Sequence, residues 1–350
     1  MKKILLCFLF LNVFVFNYSF AEEPEQINVE NLQQTTVTPY LDTIISNNKN
    51  LIYCSTFQLA WDALCDDIIK APLVLAGNPE IQQILNKRLT GKKDIANDAY
   101  IAMAGFNKNG IIEKINQYLL KQFNNKKGCG ITLYNPDDIL AYSYLFKHLE
   151  FKYKFEDLTD TPIFFNNETK VQTFGIKKFS DEIAKQVKIL DYINDDNFIL
   201  QIESKSKNDE IILAKIQPKE TLLKTVDYVF EQVKNKNPIN LKSNDILKIP
   251  KFDFDILKKY SEIANRDIKN INFNNYYISE AIQVIKFKLN EKGVVLESYA
   301  GMVGIVSIGK RLIFDKPFLF CLKEKNGKYP YFVMWVDNAE LMLKSNYTGE

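Results

Sequence analysis

Apolar residues in the first third of this chain recur at helical spacing. After a polar lead from Glu22, positions 57, 60, 61, 64, 65 and 68 are apolar and follow Ser55-Thr56, a pair suited to capping a helix. The stripe is wide, so this helix is expected to be largely buried, with Trp61 in the core. Pro79 to Leu89, with proline at a start position where its missing amide costs little, and Ile111 to Phe123 are further predicted helices. From Asp138 the pattern changes. Ile139 to Leu145 is almost continuously apolar or aromatic, as in a strand covered on both faces, and shorter strand-like runs centre on Ile163, Val187, Phe198 and Ile211. Thr221 to Val233 returns to an amphipathic helical period, and Ile246 to Phe254 reads as a strand. Ile282 to Leu289 reads as a strand that alternates over its second half. An exposed loop, Val294 to Ile313, follows it without proline and with few charges. The chain closes on a hairpin, Phe318 to Leu322 and Tyr329 to Val336, whose Asn326-Gly327 suits a tight turn with positive φ. Helices first and strands later predict an α+β fold instead of repeated βαβ units.

Residues 1 to 21 have the form of a secretory signal: Lys2 and Lys3, an apolar run from Ile4 to Phe16, and small residues at Ser19-Phe20-Ala21. Its removal would take Cys7 with it and leave a mature chain from Glu22, secreted or periplasmic, with no membrane attachment. The full chain has 45 basic and 43 acidic residues, and loss of Lys2 and Lys3 leaves 43 of each. Neutrality gives no reason to expect nucleic acid or an anionic membrane as a partner. About 330 residues without a Gly-, Pro- or Ser-rich linker predict one domain, 22–350, around one large core. Cys54, Cys65, Cys129 and Cys321 form no short-range motif. Cys54 and Cys65, at the start of and within one predicted helix, would lie roughly 16 Å apart at about 1.5 Å per residue, too far to bond. Buried free thiols are the simpler reading, and an oxidising compartment leaves a Cys129–Cys321 bridge open.

The one histidine, His148, argues against Ser-His-Asp or Cys-His catalysis, as does the absence of a Gly-x-Ser-x-Gly elbow. Histidine-rich zinc sites fail on count, and no Cys-x-x-Cys replaces them. Gly128-Cys129-Gly130 lacks the rest of a phosphate loop and reads as a turn. Asp66-Asp67, Asp137-Asp138 and Asp195-Asp196 read as helix ends and solvated turns. No catalytic residue, metal or cofactor is expected, and the chain is read as a non-enzyme.

Several segments resemble the serpin family, in family order along most of the mature chain. Asn50-Leu51-Ile52-Tyr53-Cys54-Ser55 resembles the start of the family's buried helix, with Cys54 and Ser55 in place of Ser-Pro. Ile115-Asn116-Gln117-Tyr118 resembles the helix that lies across the main sheet, with Tyr118 in place of tryptophan. Phe146-Lys147-His148, with Phe151 and Phe155, resembles the Phe-Lys-Gly-x-Trp segment after a one-residue insertion. Ile249-Pro250-Lys251-Phe252, Ile278-Ser279-Glu280-Ala281, Asn290-Glu291-Lys292-Gly293 and Phe314-Asp315-Lys316-Pro317-Phe318 are similar to the family's Pro-Lys-Phe strand, the lead into the strand before the loop, the hinge and the closing segment. The stretch before Asp138 is shorter than in typical serpins, which implies missing peripheral helices.

The resemblance implies a divergent, shortened serpin. N-terminal helices would pack on a large mixed sheet, with a second sheet formed by the C-terminal hairpin and an exposed reactive-centre-like loop. Ile139 to Leu145 and Ile282 to Leu289 would be central strands flanking the place where the loop inserts. It implies a monomer that traps a target protease, of serine or cysteine type, by being cut in the loop and inserting it as a strand. The hinge would be Glu291, Lys292, Gly293, Val294, Leu296, Ser298 and Ala300, and family spacing places the scissile bond between Ser307 and Ile308. Strand alternation puts Val294, Leu296, Ser298 and Ala300 on one face. Three of these are permissive. Leu296 overfills a site meant for alanine, at about 1 to 3 kcal/mol, enough to slow insertion roughly 5- to 150-fold. The alternative is a non-inhibitory binding or scaffold protein whose hinge, with Leu296, Glu297 and Tyr299, does not insert. An unrelated α+β secreted protein is the third reading.

Overall fold

The computed structural model describes residues 24–148, 150–292 and 309–348, without the side chains of Lys147 and His148. The signal-like segment 1–21 and the loop residues 293–308 lie outside the described residues.

Along the first half of the chain run β1 (Gln26–Asn28), β2 (Thr35–Thr38), β3 (Asn50–Cys54), α1 (Thr56–Ala63), α2 (Glu80–Leu85), β4 (Tyr100–Phe106), α3 (Ile111–Phe123) and β5 (Ile139–His148). Short strands β6 (Glu156–Asp157), β7 (Ile163–Phe165), β8 (Thr169–Val171) and β9 (Thr173–Ile176) precede α4 (Asp181–Lys185), β10 (Val187–Asn194), β11 (Asn197–Ile202) and β12 (Asp209–Lys215). Then come α5 (Leu222–Val233), β13 (Ile239–Asn240), β14 (Ile246–Pro250), β15 (Phe252–Lys259), β16 (Ile278–Leu289), β17 (Arg311–Ile313), β18 (Phe318–Glu324) and β19 (Phe332–Val336).

A five-stranded sheet has the order β1-β15-β16-β5-β4 and contains the two strands expected at its centre. Its faces are covered from both sides. Ile111, Ile115 and Leu119 of α3 pack on Leu140, Tyr142 and Tyr144 of β5 and on Ile282 and Val284 of β16. On the opposite face Phe57 and Trp61 of α1 pack with Ile139, Tyr260 and Ala281. The hairpin β18–β19 lies inside an eight-stranded sheet, β13-β10-β11-β12-β18-β19-β3-β2, which is the larger of the two. Phe287 of β16 stacks on Phe332 of β19 at a centroid distance of 4.9 Å, so the two sheets share one apolar layer.

Where sequence expectation and structure differ, the cause is tertiary. Cys54 ends β3 instead of opening a helix, because Asn50–Cys54 pairs with β2 and β19. Ser55 takes helical dihedrals and its hydroxyl caps nothing; its amide donates to Tyr331 O at 2.9 Å, so the helix starts directly off the strand. The helix predicted from Pro79 stops at Leu85, and Arg88 takes a left-handed φ of 49° while pairing with Asp66. Ile246 to Phe254 is two strands in different sheets, β14 and β15, divided at Lys251. Neither Asn326 nor Gly327 has a positive φ. The hairpin loop is longer than a two-residue turn, and buried Asp94 sets its shape by accepting from the amides of Lys328 and Tyr329. All four cysteines of the described residues are free and buried, including Cys129 and Cys321. Gly128 and Gly130 both have positive φ, as a turn requires.

Candidate functional site

The centre of the five-stranded sheet is a seam between two parallel strands. β16 and β5 pair in parallel from Ile278 beside Ile139 to Lys288 beside His148, while β15–β16 and β4–β5 are antiparallel. Strand alternation sends Leu140, Tyr142 and Tyr144 to the α3 face and Ser143 and Leu145 to the opposite one.

Beneath the seam lies a buried polar cluster. Gln283 of β16 is fully buried; its Nε2 donates to Cys54 O at 3.1 Å and Thr56 Oγ1 at 3.0 Å, and its Oε1 accepts from Tyr260 OH at 2.7 Å. Thus β16 is fastened to the start of α1. Ser143, the β5 residue in register with Gln283, is equally buried, but its hydroxyl has no partner among the described residues. Burial raises the Cys54 thiol to about 11, against opposing hydrogen bonds from Thr56 and Gln283, so Cys54 is not a reactive thiolate.

At the end of β16, Glu291 is held twice. Its carbonyl accepts from Phe155 N at 3.0 Å, and its carboxylate meets Lys251 Nζ at 2.8 Å. Lys251 is buried at the break between β14 and β15 and also pairs with Asp157 at 2.9 Å. Burial pushes the Asp157 carboxyl upward, but hydrogen bonds from Thr159 and Lys251 outweigh it and hold the group below its ordinary range. Phe151, Phe155 and Phe174 pack edge to face and tilted behind this latch at 4.9 to 5.7 Å. Lys292 is exposed, its amide donating to Asn290 Oδ1 at 2.9 Å.

The chain re-enters at Gly309, and this stalk is also fixed. A Cβ there would stand 1.8 Å from Asn244 O, so no other residue fits without moving backbone. Lys310 N donates to Asp245 Oδ1 at 2.8 Å, Lys310 O accepts from Ile246 N, and β17 pairs in parallel with β14. The Asp195-Asp196 turn completes the attachment. Asp195 Oδ1 accepts from Arg311 N and from Tyr192 OH, and Asp196 pairs with Lys316 and with buried Lys215. Lys215 donates to Ile313 O at 3.0 Å and to Asp315 at 2.6 Å.

Of the hinge residues expected from the sequence, Glu291 and Lys292 are placed at the mouth of the seam. Gly293, Val294, Leu296, Ser298 and Ala300 lie outside the described residues, as does the Ser307–Ile308 bond. Nothing in the sequence marks Gln283, Tyr260, Lys215 or Asp245, and Lys251 stands there only as part of a strand motif. A lysine between Pro250 and Phe252 in an apolar run was the one available signal. Asp138, paired with Ser279 and two turn amides, closes the turn that leads into β5. Tyr118 is half exposed on α3. Among the described residues no group of three or more His, Cys, Asp or Glu is placed to hold a metal, and no helix is long and apolar enough to cross a membrane.

No family model and no curated protein matches the chain. Solved serpins do resemble it. The native state of tengpin, a thermophilic serpin, is 14% identical and superposes with a TM-score of 0.53, over 84% of this chain and 90% of that one. Serpin48 of the insect Tenebrio molitor is 14% identical over 83% and 92% of the two chains, with a TM-score of 0.49. Mouse protein Z-dependent protease inhibitor is 15% identical over 66% and 64%, with a TM-score of 0.46. The likeness to tengpin, together with the five-stranded sheet, its covering helices and the embedded C-terminal hairpin, shows that the fold is that of a serpin.

Proposed function

We propose that this chain is a protease inhibitor that is cut in the loop between Lys292 and Gly309 and captures the protease by folding the cut segment between β16 and β5. The observation that carries this reading is the seam. A segment that turns back from the end of β16 runs antiparallel to β16 and, because β5 is parallel to β16, antiparallel to β5 as well. Insertion therefore replaces one parallel ladder by two antiparallel ones, the slightly more stable pairing, and adds a buried strand. Gln283, fastened to α1, and Ser143, whose hydroxyl has no partner among the described residues, support β5 as the side that moves. In this reading residues 1–21 are removed, the protein works outside the cytoplasm, and the target is a protease of serine or cysteine type that cuts this chain after Ser307.

The test is incubation with a panel of such proteases, elastase-like enzymes first. An SDS-stable complex and a sharp rise in the unfolding temperature of the cut inhibitor are expected. Cleavage with neither would overturn the reading. The non-inhibitory alternative, favoured by Leu296, Glu297 and Tyr299 in the hinge, would then stand.

A further inference from the structure

The two edges of the five-stranded sheet are treated differently. One is covered by β1, which pairs in parallel with β15. The other is β4, Tyr100–Phe106, whose sequence Tyr-Ile-Ala-Met-Ala-Gly-Phe has no charge and no proline. Exposed edges of that length normally carry one or the other, because free N–H and C=O groups recruit further strands.

The direction of those groups follows from the ladder. Phe146 N donates to Ala99 O and Asn107 N to Asp138 O at the two ends of the β4–β5 pairing. Odd-numbered residues of β4 therefore bond to β5, and Tyr100, Ala102, Ala104 and Phe106 turn their backbone groups outward. Gln122 takes the carbonyl of Tyr100 at 3.4 Å, and the outward groups of Ala102 and Ala104 have no partner among the described residues. A groove of about 330 Å³, walled by Asp67, Tyr118 and Gln122, runs along them.

We propose that β4 is the contact of a two-fold dimer, in which β4 pairs antiparallel with β4 of a second copy to make one continuous sheet. The occupant is argued from the strand itself, which is close to a palindrome about Met103. Antiparallel pairing centred there sets Ala102 opposite the partner's Ala104, small on small. It sets Tyr100 opposite the partner's Phe106, an aromatic cross-strand pair, and Ile101 opposite the partner's Gly105. All four outward residues are then bonded. No charge meets a like charge across the strands, and the chain as a whole is nearly neutral. A single strand pair buries less area than a standard stable interface, so the dimer is concentration-dependent. The monomer implied by the family resemblance is its dissociated form. The contact lies one strand away from the seam and does not depend on the inhibitor reading.

Sedimentation velocity of the purified protein from about 1 to 100 µM tests it, the range in which an interface of this size associates. The expected mass rises from one chain to two. Ala102→Pro, at a position whose amide takes no part in the β5 ladder, and Ala104→Lys should each keep the parent's melting curve and remain monomeric throughout. In the parent, exchange of the Ala102 and Ala104 amides should slow as concentration rises, and this readout decides should both variants fail to fold. A parent that stays monomeric, folded variants that dimerise like it, or amides whose exchange ignores concentration would each overturn the proposal.

Discussion

Lys251 concentrates more of the fold's electrostatics than any other side chain at the seam. It is nearly buried, and two carboxylates from different parts of the chain meet its ammonium, Asp157 at 2.9 Å and Glu291 at 2.8 Å. A buried cation is tolerable only with such partners, and removing it strands Glu291, whose side chain is 12% exposed. Lys251→Met keeps the stem's apolar contacts and deletes the charge. It is expected to lower the unfolding free energy by about 2 to 3 kcal/mol, read by urea denaturation, with much of the loss recovered in Lys251→Met/Glu291→Gln. A loss in the double variant equal to the sum of the losses in Lys251→Met and Glu291→Gln alone would mean that Lys251 and Glu291 are not coupled. Little of this was readable beforehand. A sequence shows that a lysine sits in an apolar run, and only the fold shows that the run breaks there and which acids arrive.

At the scale of elements, legibility followed locality. Ile111–Phe123 and Leu222–Val233 carry their own signals, an apolar stripe and a terminal residue that fits: Thr221 Oγ1 accepts from Lys224 N, and Asn124 takes a left-handed conformation. The stalk β17, three residues long, has no such period, and its position depends on a turn more than a hundred residues earlier. That dependence makes it acid-sensitive. The hydrogen bond from Tyr192 holds the Asp195 carboxyl below its ordinary range, and those from Lys316 and Lys215 do the same for Asp196. Their folded values lie below the unfolded ones, so their contribution is present above the unfolded value of about 3.9 and is lost as pH falls through the depressed folded values. Both side chains are largely solvated, so the effect is small. Asp195→Asn should be less stable than the parent at neutral pH, and the gap should narrow below about pH 4. A gap that is constant with pH would remove the carboxylate from the account.

For the whole molecule the question is how two fastened ends govern the seam between them. Glu291 and Gly309 are both anchored, so on the proposed inhibitor reading a cut between them would free two ends, of which only the one attached to β16 could turn back into the sheet. The strands that would have to part are joined by a full parallel ladder and bridged on one face by α3, so entry would be a barrier crossing. On the proposed inhibitor reading the protease completes its own reaction meanwhile, and the outcome would be set by the ratio of the two rates. On that reading a residue that slows entry would turn the inhibitor into a substrate. Leu296 lies outside the described residues; strand alternation in the sequence would turn it inward on insertion, where its volume would oppose entry by about 1 to 3 kcal/mol if the whole strain falls on the barrier. Leu296→Ala should therefore raise the fraction of protease trapped as SDS-stable complex, by up to the roughly 5- to 150-fold change in insertion rate that such strain implies. It should leave the melting temperature of the uncut protein nearly unchanged, because the residue acts on the step and not on the closed seam. A trapped fraction identical in parent and variant, with both cut at the same rate, would show that Leu296 does not control the partition.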